Sequence, residues 1–132
     1  PIEHSRTKEA VNKYKVEPYV IPADIYGAKN LAGCGGWTWY TGSSSWYYIA
    51  GIQYILGLKI EKNIMSIQPC IPKNWEEYEM KFKYGESIYN IKVENKNGKN
   101  TGVNKVIVNG EEVENKIKLD NSGKIFNIEI KM

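Results

Sequence analysis

The sequence predicts an α+β protein, helical over residues 1–60 and folded as an antiparallel β-sandwich over residues 61–132. Three observations carry that expectation. Composition changes near residue 60: three of the four Trp and seven of the twelve Gly precede it, against only four of the 15 acidic residues. Beyond it, apolar residues alternate with polar ones, the period of a strand with one face in water. Asn109-Gly110 also separates two apolar runs, and both residues tolerate the positive φ of a type I′ hairpin turn.

The first element is a helix over residues 8–15, with Ala10, Val11 and Tyr14 on one face. Pro18 suits the first turn of a second short helix over residues 19–26, with Glu17 near its cap, Gly27 at its end and Pro22 kinking or shortening it. Residues 33–40 read as a loop. Residues 43–56 give the strongest helix signal, with Ser43 to Ser45 available to cap it and Gly57 to end it. Its middle, residues 46–50, is apolar nearly all round and is expected to be buried on most sides. Three such helices cannot enclose that segment, so they look like the last helices of a larger helical domain.

Strands follow. Met80, Phe82 and Tyr84 alternate with Glu79, Lys81 and Lys83, and Gly85-Glu86 can turn the chain. Tyr89, Ile91 and Val93 alternate with Asn90, Lys92 and Glu94. A polar loop over residues 95–102 precedes the apolar run 103–108 and the Asn-Gly turn. Ile117 and Leu119, a turn over residues 120–123, and Phe126, Ile128 and Ile130 complete the series. Short strands at this spacing suggest an antiparallel sandwich. Pro69 and Pro72 are expected to shape its entry and Trp75 to pack in its core.

The chain has 132 residues, 42% of them hydrophobic and 25% charged, which suits a soluble globular protein of ordinary domain size. The net charge is only +3, and all but Arg6 of the 18 cations are Lys, poor material for bidentate base or phosphate readout. Nucleic acid is not an expected partner. Cys34 and Cys70 have no CxxC spacing and only His4 as a companion, so no metal site is expected. They read as a disulfide or, more commonly, as plain buried thiols. The longest apolar stretch, residues 46–58, is interrupted by Gly51, Gln53 and Gly57 and is too short to span a bilayer. No basic segment followed by an apolar run opens the sequence, so no signal peptide is read and the cytoplasm is the expected compartment. The chain opens at Pro1 within helical-looking sequence, which reads as a piece of something longer.

The stretch most suggestive of chemistry is residues 33–43, a glycine-rich backbone, then a cluster of aromatics, then Thr41-Gly42 where a helix starts. Free N–H groups at a helix N-terminus bind anions, Gly42 lets a phosphate approach the backbone, and the Thr41 hydroxyl can donate once more. The dipole contributes only ~0.3–1 kcal/mol at an exposed site, so a strong anion site needs added cations. Trp37, Trp39 and Tyr40 offer flat faces to sugar rings. The same residues serve equally as a helix cap and core filling, a commoner use, and the residues alone leave both readings open.

The run Tyr14-Lys15-Val16-Glu17-Pro18-Tyr19, continuing to Tyr26, resembles the C-terminal region of glycoside hydrolase family 94. So do Gly35-Gly36-Trp37-Thr38-Trp39-Tyr40-Thr41-Gly42-Ser43 with Trp46, and Gln68-Pro69-Cys70-Ile71-Pro72-Lys73-Asn74-Trp75. The three motifs stand in the family's order, and the similarity runs over about residues 2–92 with a compatible strand-rich remainder. The family includes cellobiose-type phosphorylases and the phosphorylase-like domain of cyclic β-1,2-glucan synthases. The resemblance implies the last helices of an (α/α)6 barrel followed by the β-sandwich. It implies inverting cleavage or formation of β-glucosidic bonds, with inorganic phosphate as substrate and no cofactor. The family's Thr-Gly phosphate contact falls on Thr41 and Gly42, while Trp37, Trp39, Tyr40 and Asp24 are candidate sugar contacts. The family's general acid and phosphate-binding His lie upstream, and neither Asp24 nor His4 stands at an equivalent position, so this segment holds no catalytic residue of its own.

Two departures bear on substrate. Cys34 replaces the Arg of a Gly-Arg-Gly-Gly sequence in cyclic-glucan relatives, and Ala23 stands where disaccharide phosphorylases carry a sugar-binding Gln; the Pro-Ala-Asp pattern leans toward the cyclic-glucan branch. The implied partners are a β-glucoside or oligosaccharide, phosphate, the upstream barrel domain and, as one assembly, a second copy. The alternative is a non-catalytic carbohydrate-binding or structural β-sandwich module.

Overall fold

A computed structural model describes residues 4, 6–17, 21–38 and 40–132, with Tyr40 and Thr41 described through their backbone alone. The chain divides into two compact units, Pro1–Gly51 and Ile52–Met132.

In the first unit, α1 (Lys8–Tyr14) starts because Thr7 accepts the Ala10 N–H at 3.1 Å, and ends because Lys15 turns left-handed at φ 59° while donating to the Val11 carbonyl. Tyr14 is the buried anchor of its apolar face. The helix expected over residues 19–26 does not form where the chain is described. Pro22 and Ile25 instead make antiparallel bridges to Thr38 and Gly35. Proline has no N–H for a helix and pushes the residue before it toward extended backbone. Residues 33–38, expected to loop, supply the opposite side of this ladder.

α2 (Tyr40–Ile49) begins three residues before Ser43, so the serines sit inside its first turns rather than capping it. It runs on into a π-helical segment, Ala50–Ile55, that stops before the left-handed Gly57. Trp46 and Tyr48 are each 69% exposed, contrary to the burial their apolar surroundings predict.

The second unit holds two sheets. β1 (Leu58–Glu61), β2 (Ile64–Ile67) and β7 (Ile117–Lys118) form an antiparallel three-stranded sheet. The five-stranded sheet has the order β3 (Glu77–Tyr84), β4 (Ser87–Glu94), β8 (Ile125–Lys131), β5 (Lys105–Val108), β6 (Glu111–Val113). Both sheets send side chains into one core, with Met65, Ile67, Tyr89, Ile91, Val93, Ile128 and Ile130 at 0–1% exposure. A fully buried side chain of this size contributes ~1.5–3 kcal/mol, so this core carries the unit's stability.

The expectation of a purely antiparallel arrangement is corrected by one pairing. β4 and β8 run parallel, in register from Ile88 opposite Ile125 to Glu94 opposite Lys131. Alternation fixes which face of a strand is wet, not the direction in which its neighbour runs. Trp75 also departs from expectation: it is 41% exposed, edge-on to Tyr78, rather than in the core. Cys70 is exposed and Cys34 half-buried, and both are free thiols.

Candidate functional site

The glycine- and tryptophan-rich segment is one side of a two-stranded ladder that delivers the chain to α2. Gly33 N–H donates to the Tyr26 carbonyl and Tyr26 N–H to the Cys34 carbonyl, each at 2.9 Å. Gly36 N–H donates to the Asp24 carbonyl at 2.8 Å and Ala23 N–H to the Trp37 carbonyl at 2.6 Å. Bonds from Leu31 N–H to the Ala28 carbonyl and from Cys34 N–H to the Leu31 carbonyl close the turn.

Two glycines permit this geometry by close approach. Gly35 donates to the Tyr14 carbonyl at 2.8 Å, and a Cβ on it would lie 3.0 Å from the Tyr14 ring and closer still to Val16. A Cβ on Gly36 would press on the Asp24 side chain, 2.6 Å from its Cγ. Asp24 therefore rests on the bare backbone of Gly36. Behind them Thr38 is buried, bridged to Pro22. The Tyr14 ring that backs Gly35 stacks on His4 with centroids 4.7 Å apart. Burial, and then the neighbouring Tyr47, pushes the Tyr14 phenol up from its ordinary pKa.

The predicted site residues fall out as follows. Asp24 and Trp37 lie on the two strands of the ladder, Asp24 across from Gly36 and Trp37 across from Ala23, both exposed, Trp37 at 70%. Tyr40, Thr41 and Gly42 are the first three residues of α2. The first turn carries no acidic residue to oppose an anion. Gly42 is exposed, and a Cβ there would meet nothing within 4 Å. Trp39 and the side chains of Tyr40 and Thr41 lie outside the described residues. Among the described residues no group of three or more His, Cys, Asp or Glu gathers to hold a metal. No described helix is long and apolar enough to cross a membrane.

Comparison with known sequences divides along the same chain. Residues 1–57 match the family described as "Glycosyl hydrolase 94 superfamily, catalytic domain". They belong to that superfamily. Residues 58–115 match "Glycosyl hydrolase family 65, C-terminal domain", a relationship the sequence motifs do not suggest. This chain is 42% identical over 93 residues to cyclic β-(1,2)-glucan synthase NdvB of Rhizobium meliloti (strain 1021), covering 70% of the chain and 3% of that protein. It is 35% identical over 99 residues to the N,N′-diacetylchitobiose phosphorylase of Vibrio furnissii, covering 74% of the chain and 12% of the relative. The solabiose phosphorylase of Paenibacillus borealis is 35% identical over 98 residues, 74% of the chain and 13% of the relative. The chain thus spans a small part of the length of the relatives it matches. Within the glycosyl hydrolase 94 segment, the ladder and the start of α2 are where Asp24, Trp37, Thr41 and Gly42 lie.

A groove of about 730 Å³ on the second unit, lined by Gln53, Tyr54, Lys59, Gln68 and Cys70 among others, contains none of the candidate residues. The role of Gly36 in seating Asp24 is not legible from composition; spacing against the Pro22 to Tyr26 run is the only signal that points to it.

Proposed function

We propose that the chain is the C-terminal part of an inverting glycoside phosphorylase or cyclic β-1,2-glucan synthase-like enzyme of the cytoplasm, in which Thr41 and Gly42 contact inorganic phosphate. The supporting observation is the position of α2. Starting at Tyr40, it puts both residues in its first turn, where N–H groups have no partner within the helix, and its Gly42 is open to approach.

In this reading phosphate attacks the anomeric carbon from the face opposite the departing oxygen. The glycosidic C–O bond breaks as the phosphate C–O bond forms, and a carboxylic acid protonates the leaving oxygen. That acid comes from the preceding helical domain, whose other barrel helices cover Trp46 and Tyr48. Asp24, Trp37, Trp39 and Tyr40 hold sugar, and no cofactor is needed because phosphate is itself a substrate. The helical part of the enzyme extends over residues 1–60 and the sandwich domain over residues 61–132.

Kinetics of the full-length polypeptide test this. Thr41→Ala raises KM for phosphate about ten- to a hundredfold, the equivalent of the ~1.5–3 kcal/mol of a hydrogen bond to a charged group, and leaves KM for the sugar unchanged. Gly42→Ala gives the same pattern without loss of fold. Unaltered phosphate KM in both variants refutes the assignment, as does release of glucose 1-phosphate by the 132 residues alone.

The exposure of Trp37 favours a second reading, a non-catalytic carbohydrate-binding module. Tryptophan fluorescence of the chain that responds to β-glucan oligosaccharides and not to phosphate selects it over the first.

A further inference from the structure

The groove of about 730 Å³ on the second unit lies apart from the candidate site, and backbone bonds hold its walls in place. One wall is the end of the π-helical segment, which carries Gln53 and Tyr54 and whose Ile55 carbonyl accepts the Cys70 N–H at 2.9 Å. Another is the loop before β5, tied down by the antiparallel bridge between Cys70 and Thr101. Asn115 is fixed by its two bonds to the Ile67 backbone, at 2.7 and 2.9 Å. The groove is therefore formed before any ligand arrives, which lowers the cost of binding. π-Helical turns are rare and recur at functional sites.

The lining selects among ligand classes. It holds no carboxylate among the described residues, so nothing there attracts a metal ion or an amine. Its one cation, Lys59, donates to Gln68 Oε1 at 3.3 Å, and a single shared charge at a partly exposed site holds an anion weakly. An apolar ligand would strip water from the three primary amides, on Gln53, Gln68 and Asn115, without replacing its hydrogen bonds. Each amide carries donors and an acceptor, the pattern that meets neighbouring hydroxyls of a neutral sugar. The Tyr54 ring, 64% exposed, offers a flat face to the C–H surface of such a ring. The groove adjoins a second depression of about 490 Å³ that shares Lys59, Gln68 and Asn115, so it suits a chain of sugars rather than one.

We propose that this groove is a second carbohydrate site, which holds a neutral β-glucan chain away from the reacting bond. The choice of β-glucan rests on the function proposed above. The groove uses none of Asp24, Trp37, Thr41 and Gly42, so the two assignments fail separately.

Cys70 lines the groove as an exposed free thiol and reports its occupancy, with Cys34 of the first unit as internal control. Mass spectrometry follows alkylation of both thiols by N-ethylmaleimide in the whole chain. The chain is mixed with linear β-1,2- or β-1,4-linked gluco-oligosaccharides or with inorganic phosphate. Saturating oligosaccharide slows alkylation of Cys70 severalfold and leaves Cys34 unchanged, longer chains protect at lower concentration than the disaccharide, and phosphate protects neither thiol. Tyr54→Ala raises the protecting concentration about tenfold or more, as loss of an aromatic anchor does, whereas Trp37→Ala leaves it unchanged. Far-UV circular dichroism unchanged in both variants shows that the fold is retained. Cys70 alkylated at one rate with and without every oligosaccharide overturns the proposal, as does protection that survives Tyr54→Ala and Gln53→Ala together or that disappears with Trp37→Ala.

Discussion

Gly57 is a left-handed residue packed directly against backbone of the second unit. It sits at φ 80°, and its carbonyl accepts the Gln68 N–H at 2.9 Å. A Cβ there would fall on the Gln68 carbonyl group and within 2.5 Å of the Pro69 nitrogen. These are backbone atoms, so the clash cannot be relieved by turning a side chain. Gly57→Ala is expected to cost about 3 kcal/mol, combining left-handed strain with the collision. Gly102→Ala, at φ 97° but in open space, should cost only the strain, ~1–2 kcal/mol. Urea unfolding of the two variants measures the difference. Tyr14 behaves in the opposite sense. Its hydroxyl is buried with no hydrogen-bond partner among the described residues, so removing it relieves a desolvated group. Tyr14→Phe should be no less stable than the native chain and up to ~1 kcal/mol more stable, read from thermal unfolding.

Elements held by local chemistry are the ones the sequence makes legible. The β5–β6 hairpin follows from Asn109 and Gly110 alone: both take positive φ, at 50° and 90°, and Asn109 also binds the Asn127 backbone with its N–H and its Oδ1. The β3–β4 hairpin follows from alternation plus Gly85, at φ 57°. Gly57 ends a helix, as read. Elements held by distant partners were not legible. Nothing in the alternation of Tyr89, Ile91 and Val93 tells that β8 lies parallel beside them. β1 and β2 are short strands next to a long apolar helix signal, and the third strand of their sheet, β7, contributes only two residues. Three serines suggested a cap, yet the ladder through Thr38 carries the chain into α2 earlier, at Tyr40. The candidate site shares this limit. Thr41-Gly42 is recognisable as a motif, but Asp24 is seated on Gly36 only through pairing across a turn that the prolines disguise. Asn115 illustrates a long-range contact of the same kind. Its amide donates to the Ile67 carbonyl at 2.7 Å and accepts the Ile67 N–H at 2.9 Å, across 48 residues of chain. Asn115→Ala leaves both backbone groups of β2 without those partners and should cost ~1–3 kcal/mol in chemical denaturation.

At the scale of the whole molecule, the ion pairs of the five-stranded sheet predict how folding answers to pH. Lys131 bonds Glu94 at 2.9 Å and Glu129 at 3.2 Å, joining β8 to β4 across their parallel pairing. That bond holds the Glu94 carboxyl below its ordinary pKa and raises the Lys131 ammonium. Asp120 is held low first by the Ser122 side chain and then by the Ser122 N–H, which meets its Oδ1 at 2.6 Å, and Lys92 is held high by Glu77. For the two carboxyls the folded chain binds fewer protons than the unfolded chain between the lowered and ordinary values, so folding stability rises with pH through that window and is lost as pH falls through it. For the two lysines the folded chain binds more protons, so their contribution is present below the ordinary lysine pKa and fades as pH rises through the raised value. Stability should therefore be flat across neutral pH and decline at both extremes. Because Lys92, Asp120 and Lys131 are partly exposed, salt should soften both declines. Replacing Glu94 with Gln removes one carboxyl from the acid limb and the partner of Lys131 from the alkaline limb. Urea midpoints for E94Q should consequently vary less with pH than those of the native chain on both sides of neutrality. A native and an E94Q profile that fall in parallel from about pH 6 to pH 3, where an ordinary glutamate titrates, would show that the β4–β8 ion pair does not couple protonation to folding.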